Sequence, residues 1–370
     1  MKIISRGRLP KPVNDPTFNS CAFPGMAVMP SGRWLCCYKA SPQKGDCDYM
    51  RVVINASDDQ GATWSPPEET VKLPHINGAP GMSRAGYILP LGGKRALLVV
   101  NWVDDSQPEL PYYDSQDESL KETRIFTSFT EDDGQSWSNP ALVDLSAAGG
   151  PTPLTGPPLL LGDGTIICHF EINKYKRDLC PWRHRSAFVY SYDGGLSWRD
   201  MTVVTDEPDM YYWDQRPCVL ADGCGVADFF WTLDGRAQKY LNIHGRHSAD
   251  GGKTWGDLFD TGLYGQPGQP VDLGARGFIT VDIDRSVRPI ISARLSRDLG
   301  RTYEQSVVLY DSRLDRQDSK NMSMNEAWDE MALYSVGLPQ LCRVDGGFLA
   351  YYYAGNHCDD TWIEFVRVEV

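Results

Sequence analysis

The octapeptide Ser57-Asp58-Asp59-Gln60-Gly61-Ala62-Thr63-Trp64 occurs in five versions along this chain of 370 residues. The other four are TEDDGQSW (130–137), SYDGGLSW (191–198), SADGGKTW (248–255) and SRDLGRTY (296–303). All five fit the pattern Ser/Thr-x-Asp-x-Gly-x-Thr/Ser-Trp/Tyr. Because self-similarity at a regular spacing marks a repeat architecture, the octapeptides indicate a fold built from similar units.

The residue types of the octapeptide suit a tight turn between two strands. The aspartate can accept hydrogen bonds from nearby backbone N–H groups, and the glycine can adopt a positive φ without steric cost. The hydroxyl residue can tie the turn to itself, and the closing aromatic ring can be buried between neighbouring repeats. We therefore interpret these five aspartates as structural residues.

Six short apolar runs accompany the octapeptides, and each follows a glycine turn. They are rich in β-branched and aromatic residues and occupy 32–38, 95–102, 164–170, 225–231, 277–282 and 347–353. Such runs are typical of strands buried on both faces. Six runs with five octapeptides mean that the last repeat has lost its octapeptide or takes its outer strand from the N-terminus. Residues 1–4 are apolar enough to close a ring, which would remove an exposed sheet edge.

The octapeptide resembles the Asp box, or BNR repeat, of the sialidase superfamily. The resemblance spans most of the chain and implies an all-β fold, a sialidase-like six-bladed β-propeller with four antiparallel strands per blade. No linker or low-complexity segment interrupts the repeats, so we expect residues 1–370 to form a single β-propeller domain. In this family the boxes lie at the rim, away from the active site.

Composition restricts the classes of partner. The formal net charge of −13 argues against nucleic-acid binding through a basic face. No apolar run approaches the roughly 20 residues that span a bilayer, and the N-terminus lacks the apolar core of a signal peptide. The ten cysteines include no Cys-x-x-Cys pair. We therefore expect free thiols, a cytoplasmic location and no membrane insertion.

Neither a metal site nor an organic cofactor is expected. The pair His244 and His247 is more typical of surface histidines on a strand than of metal ligands. The chain contains no phosphate-binding glycine loop and no Gly-x-Ser-x-Gly elbow. The oligomeric state is left open.

A propeller gathers certain loops around one end of its central channel, and function is expected there. These are the loops between second and third strands (40–48, 103–123, 173–184, 233–239, 284–288 and 355–360) and the segments that lead into blades (73–84, 206–216, 263–269 and 325–340). They are polar and aromatic.

The resemblance implies catalytic residues at particular positions. Sialidases use a tyrosine nucleophile paired with a glutamate, and an aspartate as acid/base, which is an exception to the two-carboxylate scheme of most glycosidases. The acid/base position falls at Asp46, and the glutamate position at Asp214, one methylene shorter. The Tyr334-Ser335 dipeptide resembles the nucleophile context. The residues themselves add Glu171, a carboxylate at the end of the third apolar run, where burial is costly unless it is used or paired.

The arginines that bind the carboxylate of sialic acid are not matched. Ala22 stands at the first arginine position, and the second falls near Trp231. We therefore predict that ordinary sialosides are poor substrates. Arg84, Arg216 and Arg285 could hold an acidic sugar through bidentate hydrogen bonds. Ring stacking on sugars is expected of Trp182, Tyr212 and Trp213, although loop aromatics often only pack.

Three functions remain open from the sequence. The first is a sialidase-like glycoside hydrolase with a central pocket for an oligosaccharide or glycoconjugate, with Asp46 and either Asp214 or Glu171 as acid and base. The second is a non-catalytic propeller that binds a glycan or a protein. The third is a polysaccharide lyase, which needs a tyrosine or histidine base and an arginine to neutralise a uronate. Fold alone does not separate them.

Overall fold

Six antiparallel sheets, arranged as blades, form the computed structural model, which describes residues 1–45, 49–312 and 322–370. The first strand of the chain is β1 (Lys2–Arg8). Blade 1 contains β2 (Ser20–Val28), β3 (Trp34–Ser41) and β4 (Arg51–Ser57). A two-residue bridge between Ile54 and Glu68 occupies the position of its fourth strand.

Blades 2 and 3 have four strands each. Blade 2 contains β5 (Gly81–Gly92), β6 (Arg95–Asp104), β9 (Thr123–Thr130) and β10 (Ala141–Leu142). Its long loop carries a small hairpin, β7 (Tyr113–Asp114) and β8 (Ser119–Leu120). Blade 3 contains β11 (Leu159–Leu160), β12 (Ile166–Ile172), β13 (Arg185–Ser191) and β14 (Arg199–Thr205).

The innermost strand of blade 4 is split in two. Both pieces, β15 (Met210–Trp213) and β16 (Cys218–Val219), pair with β17 (Val226–Asp234). The blade continues with β18 (Lys239–Tyr240), β19 (Asn242–Ser248) and β20 (Phe259–Tyr264). Blade 5 contains β21 (Gln266–Asp272), β22 (Phe278–Asp284), β23 (Ile290–Ser296) and β24 (Gln305–Asp311).

Blade 6 closes the ring with strands from both ends of the chain. It contains β25 (Gly337–Val344), β26 (Gly347–His357) and β27 (Asp360–Glu369), and β1 pairs with β27 as its outer strand. The register places Lys2 opposite Glu369 and Arg8 opposite Glu364. The prediction of a six-bladed propeller is confirmed, and the N-terminal segment supplies the outer strand of the blade that lacks an octapeptide.

Helices are few and short among the described residues. The helix α1 (Met324–Met331) lies in the segment that leads into blade 6 and begins with a capping box between Ser323 and Glu326. Three 3-10 turns occupy Pro16–Phe18, Ser146–Ala148 and Gly274–Arg276. No helix in this part of the chain combines the length and apolarity needed to cross a membrane.

The six apolar runs are the second strands of the blades. Every residue of β3 and of β12 is buried, as expected for strands covered on both faces. Clusters of buried side chains join each pair of adjacent blades; for example, Ile283 of blade 5 and Tyr352 of blade 6 belong to one cluster. The apolar sequence of these strands therefore explains how the blades adhere to one another.

Each octapeptide forms the turn after the third strand of its blade. In the blade 4 turn, Asp250 accepts hydrogen bonds from the hydroxyl of Ser248 and from both the backbone N–H and the hydroxyl of Thr254, at 2.6–2.8 Å. Gly252 has a φ of +81°, and a Cβ there would lie 2.6 Å from Phe188 in blade 3. The turn therefore needs glycine both for its backbone and for contact with the preceding blade.

Candidate functional site

A cavity of about 410 Å³ opens at the end of the ring opposite the octapeptide turns. Its walls come from the loops between second and third strands, from the innermost strands and from α1, as the sequence predicts for a functional end. Charged and polar side chains line one part of it, among them Lys44, Arg84, Glu171, Asp214, Gln266, Arg285 and Asp329. Aromatic side chains line much of the rest, namely Phe23, Tyr112, Tyr113, Trp213, Trp231, Tyr240, Trp328, Tyr334 and Tyr353.

Irregularities in the innermost strands direct side chains into this cavity. The register of β2 shifts around Phe23, that of β5 around Arg84 and that of β25 around Leu338. Asp214 lies at the break between β15 and β16. A β-bulge leaves a residue unpaired and re-aims its side chain, which accounts for the presence of all four in the cavity lining.

Three of these four residues have a positive φ, a backbone conformation that residues other than glycine rarely adopt. The φ angles are +53° at Phe23, +50° at Asp214 and +49° at Leu338. Such a conformation costs on the order of 1–3 kcal/mol and persists only where the surrounding structure enforces it. Strained backbone in three blades therefore converges on the same cavity.

Asp214 is held by groups from neighbouring segments. Its Oδ1 lies 3.3 Å from Nη2 of Arg216, and its Oδ2 accepts a hydrogen bond from the amide of Gln266. Gln266 in turn accepts a hydrogen bond from Arg285 at 3.1 Å. The side chain of Asp214 remains 29 % exposed, so it is both oriented and accessible from the cavity.

Glu171 stands directly beside Asp214. Its Oε1 accepts a hydrogen bond of 2.6 Å from the backbone N–H of Asp214, and its Oε2 lies 3.7 Å from Nε2 of the buried His184. Glu171 lies in β12 and lines the cavity. Two carboxylates from blades 3 and 4 therefore meet in one place.

Tyr334 lies close to two basic side chains. The guanidinium of Arg285 is 4.1 Å from the centre of its ring, and Nζ of Lys44 is 5.2 Å from the same centre. Burial raises the pKa of the Tyr334 phenol, and the charge of Arg285 opposes this rise. The phenol is therefore neutral around neutral pH.

The aromatic wall is a packed assembly with Trp213 at its centre. Trp328 of α1 stacks on Tyr113 of the blade 2 hairpin, with ring centres 4.4 Å apart, and contacts the edge of Trp213. Trp182 packs behind Trp213 at 5.0 Å and is absent from the cavity lining. The helix and the hairpin therefore present their rings to the cavity, and Trp182 supports them.

Two other predicted substrate-binding residues also lie off the cavity. Tyr212 points to the opposite face of β15 from Trp213, because side chains alternate along a strand, and it packs with Phe230. Arg216 is 1 % exposed, and its Nη1 donates to the carbonyls of Thr155 and Gln215. Its contact with the site is made through Asp214.

Of the predicted residues, the structure brings Glu171, Asp214, Tyr334, Arg84, Arg285 and Trp213 to one cavity. Asp46 lies outside the described residues. Sequence reasoning missed Lys44, Gln266 and Trp328. The loops that contain them were recognised as functional, but a lysine, a glutamine or a tryptophan in a loop carries no signal that separates a cavity position from a surface one.

The two histidines considered as metal ligands have separate partners. His244 bonds through Nδ1 to Thr232 and to the carbonyl of Asn242, and His247 bonds to the carbonyl of Leu299. Within the described ranges, one group of three potential ligands has its atoms within 4.8 Å: His357, Cys358 and Asp359. Asp359 also accepts a hydrogen bond from the backbone N–H of Lys44, so this turn supports a loop of the cavity.

Comparison with solved structures finds proteins of the same architecture. A protein of unknown function from Dyadobacter fermentans DSM 18053 superimposes with a TM-score of 0.74 at 18% identity, covering 100% of this chain and 99% of that chain. The intramolecular trans-sialidase from Ruminococcus gnavus gives a TM-score of 0.65 at 11% identity, over 96% of each chain. The NanB sialidase from Streptococcus pneumoniae gives 0.63 at 13% identity, over 98% of this chain and 70% of that chain.

The chain has the fold of the sialidases. At these identities the likeness shows the architecture and nothing finer. No family model matches the sequence, and no curated protein matches it either. The sialidase-like propeller predicted from the octapeptides is thus confirmed as a fold.

Proposed function

We propose that this sialidase-like propeller is a glycoside hydrolase that acts on a glycan with an acidic sugar bound in the central cavity. The observation that carries the proposal is the environment of Asp214. It combines a strained backbone, a carboxylate fixed by Arg216 and Gln266, and access to the cavity. Strain maintained at a cavity residue is typical of active sites, where it orients a reacting group.

Tyr334 and Asp214 are suited to act together. Both line the cavity, and Arg285 links them, because its guanidinium lies 4.1 Å from the ring centre of Tyr334 and donates to Gln266, which in turn donates to Asp214. In our proposal Tyr334 attacks the anomeric carbon, and Asp214 acts as the base that takes its proton. A neutral phenol approaches an anionic sugar without the repulsion that a carboxylate nucleophile would meet. Asp46 stays the predicted acid for the leaving group.

Glu171 is the second candidate for proton transfer. Its hydrogen bond to the backbone of Asp214 also helps to hold the left-handed conformation there. We therefore assign it a positioning role first, with proton transfer as the alternative that substitution to glutamine tests. Loss of positioning alone would lower activity without moving the pH profile.

The lining of the cavity supports a sugar with both an acidic group and an apolar face. Arg84 and Arg285 offer guanidinium groups, and Trp213 and Trp328 offer rings on which a sugar can stack. Ala22 and Trp231 stand where sialidases place arginines, so we propose that sialosides are turned over poorly. That residues 1–370 form a single domain and that the protein is cytoplasmic both stay predictions.

Two other functions are supported by specific observations. The ion pair between Arg216 and Asp214 is what a structural carboxylate would make, and it favours a glycan-binding propeller without catalysis. The stacking of Arg285 on Tyr334 would suit a lyase, in which a tyrosine removes a proton beside a neutralised uronate. Both alternatives keep the acidic sugar; the first gives no product, and the second gives an unsaturated uronate.

A panel of glycans incubated with the protein separates the three. Hydrolysis releases reducing sugars without ultraviolet absorbance, and a lyase produces unsaturated uronates that absorb. Glycan retention on the protein without any product identifies a binding module. The Asp214→Asn variant is the matched control, since it preserves shape while removing the base. Unchanged product release by this variant would contradict the proposed mechanism.

A further inference from the structure

Lys44 enters the cavity between blades 1 and 6 and has an unusual environment. Its side chain is buried, and Nζ lies 5.2 Å from the ring centre of Tyr334 and 5.0 Å from that of Tyr353. The amine donates a hydrogen bond to the carbonyl of Met331, at the C-terminal end of α1. Lys44 is thus fixed in position by a blade loop, a helix end and two phenol rings.

Among the described residues, three cations act on Lys44 and lower its pKa. They belong to Arg285 after β22, Lys39 in β3 and Arg84 in β5. The other titratable groups that face it are Tyr334, Tyr353, the thiol of Cys358 and Asp359, whose carboxylate is bonded to the backbone N–H of Lys44. Asp214, Glu171 and Asp329 also line the cavity; the first two are engaged with Arg216, Gln266 and each other, and the third lies in α1 near the end that holds Lys44.

Burial and neighbouring cations both disfavour an ammonium group. They hold the pKa of Lys44 well below its usual range, with burial as the larger cause and Arg285, Lys39 and Arg84 following. An anion bound among these cations would favour the ammonium form of Lys44, because its negative charge attracts the proton as well as the guanidinium groups. Anion binding and protonation of Lys44 are therefore expected to be coupled.

We propose that Lys44, Arg84 and Arg285 together form the subsite for the anionic group of the ligand, and that Lys44 takes up a proton when the anion binds. This deepens the proposed function and rests on it only for the acidic nature of the sugar. The set differs from the arginines predicted from the sequence, since Arg216 lies behind Asp214 and Lys44 takes its place in the cavity.

Calorimetry of anion binding tests the proposal on the intact protein. The probes are glucuronate, N-acetylneuraminate and inorganic sulfate, with glucose as the neutral control. Titrations at about pH 8, in buffers of different ionisation enthalpy, measure the protons exchanged; we expect uptake of up to about one proton per anion. The three probes separate a carboxylate-bearing sugar from any small anion. Absence of saturable binding by all three overturns the proposal.

Two variants of the same residue sharpen the test. Lys44→Arg keeps a permanent charge, so it should bind the anion without proton uptake and with an affinity that no longer falls as pH rises. Lys44→Met should bind about tenfold more weakly and also lose the uptake. Lys253→Met, on the distant octapeptide of blade 4, should behave as the wild type. Melting temperatures confirm that each variant is folded.

Failure of this proposal is distinguishable from failure of the hydrolase assignment. Proton-coupled anion binding without sugar release removes the hydrolase and retains the subsite. If the wild type releases sugar but the Lys44→Arg variant takes up protons as the wild type does, the subsite proposal is wrong and the hydrolase assignment stands. Wild-type affinity in Lys44→Met would also overturn it.

Discussion

The octapeptide turns and the cavity use the same residue type in opposite ways. In the turn of blade 4, the donors that surround Asp250 all come from residues 248–254, and its pKa is about 2 despite the cost of burial. At the cavity, Asp214 is held not only by Arg216 two residues away but also by Gln266 of blade 5 and Glu171 of blade 3, and its backbone is strained. Local donors make a carboxylate a structural part, whereas convergence from several blades makes it a candidate for chemistry.

The largest expected effect is on the cavity side of this comparison. Asp214→Asn should lower the rate of sugar release about a thousandfold, within the range that a general base contributes. The melting temperature should change little, because the side chain is partly exposed and the amide can still accept from Gln266. Rates with the substrate found in the glycan panel, together with thermal melts, measure both. An unfolded variant would make Asp214 a structural partner of Arg216.

The reverse outcome is expected at the turns. Asp250→Ala removes the acceptor for four hydrogen bonds in an exposed turn and should lower the free energy of unfolding by about 1–2 kcal/mol. Activity per folded molecule should be unchanged. Denaturant unfolding and assays at low temperature measure these quantities. Lost activity in a folded Asp250→Ala protein would break the distinction between the two ends.

Acid should weaken the turns before it affects the blades. The pKa values of Asp132, Asp193, Asp250 and Asp298 are each about 2, chiefly because hydroxyl and backbone N–H groups of the same turn donate to them, although burial opposes this at Asp250. A depressed pKa adds stability above the unfolded value near 4, and this stability is lost as pH falls from about 4 to 2. Melts across this range should show the decline. Asp250→Asn should show a shallower one.

The smallest expected effect is a gain in the stability of the protein when Lys44 is replaced by methionine. Because its pKa is lowered in the folded protein, the unfolded chain binds more protons, and stability should rise with pH up to the ordinary lysine value of about 10.4. Lys44→Met should flatten this rise and stabilise the protein by about 1 kcal/mol at neutral pH. Thermal melts over pH measure both effects. A variant that is less stable at every pH would show that the hydrogen bond to Met331 outweighs the desolvation.

The fold was predictable because its determinants are local. A turn that satisfies its own hydrogen bonds leaves a fixed pattern of eight residues, and a strand buried on both faces leaves an apolar run such as that of β12. The cavity was predictable only in part. The sequence identifies the loops at the cavity end of the ring, and with them Glu171, Asp214 and Arg285. This is possible because the position of a residue along its strand determines how near it lies to that end.

The remaining site residues depend on contacts that no short window contains. Trp213 and Tyr212 are adjacent in sequence, and only the register of β15 decides which of them faces the cavity. The bulge at Phe23, next to the Ala22 that stands at the family's first arginine position, brings an aromatic ring into the cavity through a local change of backbone. The burial of Lys44 requires Tyr334 and Tyr353 from blade 6, nearly the length of the chain away.

The pairing of β1 with β27 has a consequence for folding kinetics. Lys2 meets Glu369, so this blade contributes the contacts of greatest sequence separation in the described structure. During synthesis, blades 1 to 5 can assemble in order behind the ribosome, while β1 waits without a partner until the last strand emerges. We expect ring closure to be the late step of folding, because the entropy of joining the ends is recovered only then. A circular permutant that links the present ends and opens a loop between two blades should place β1 directly after β27, turn this contact into a local hairpin and accelerate that step.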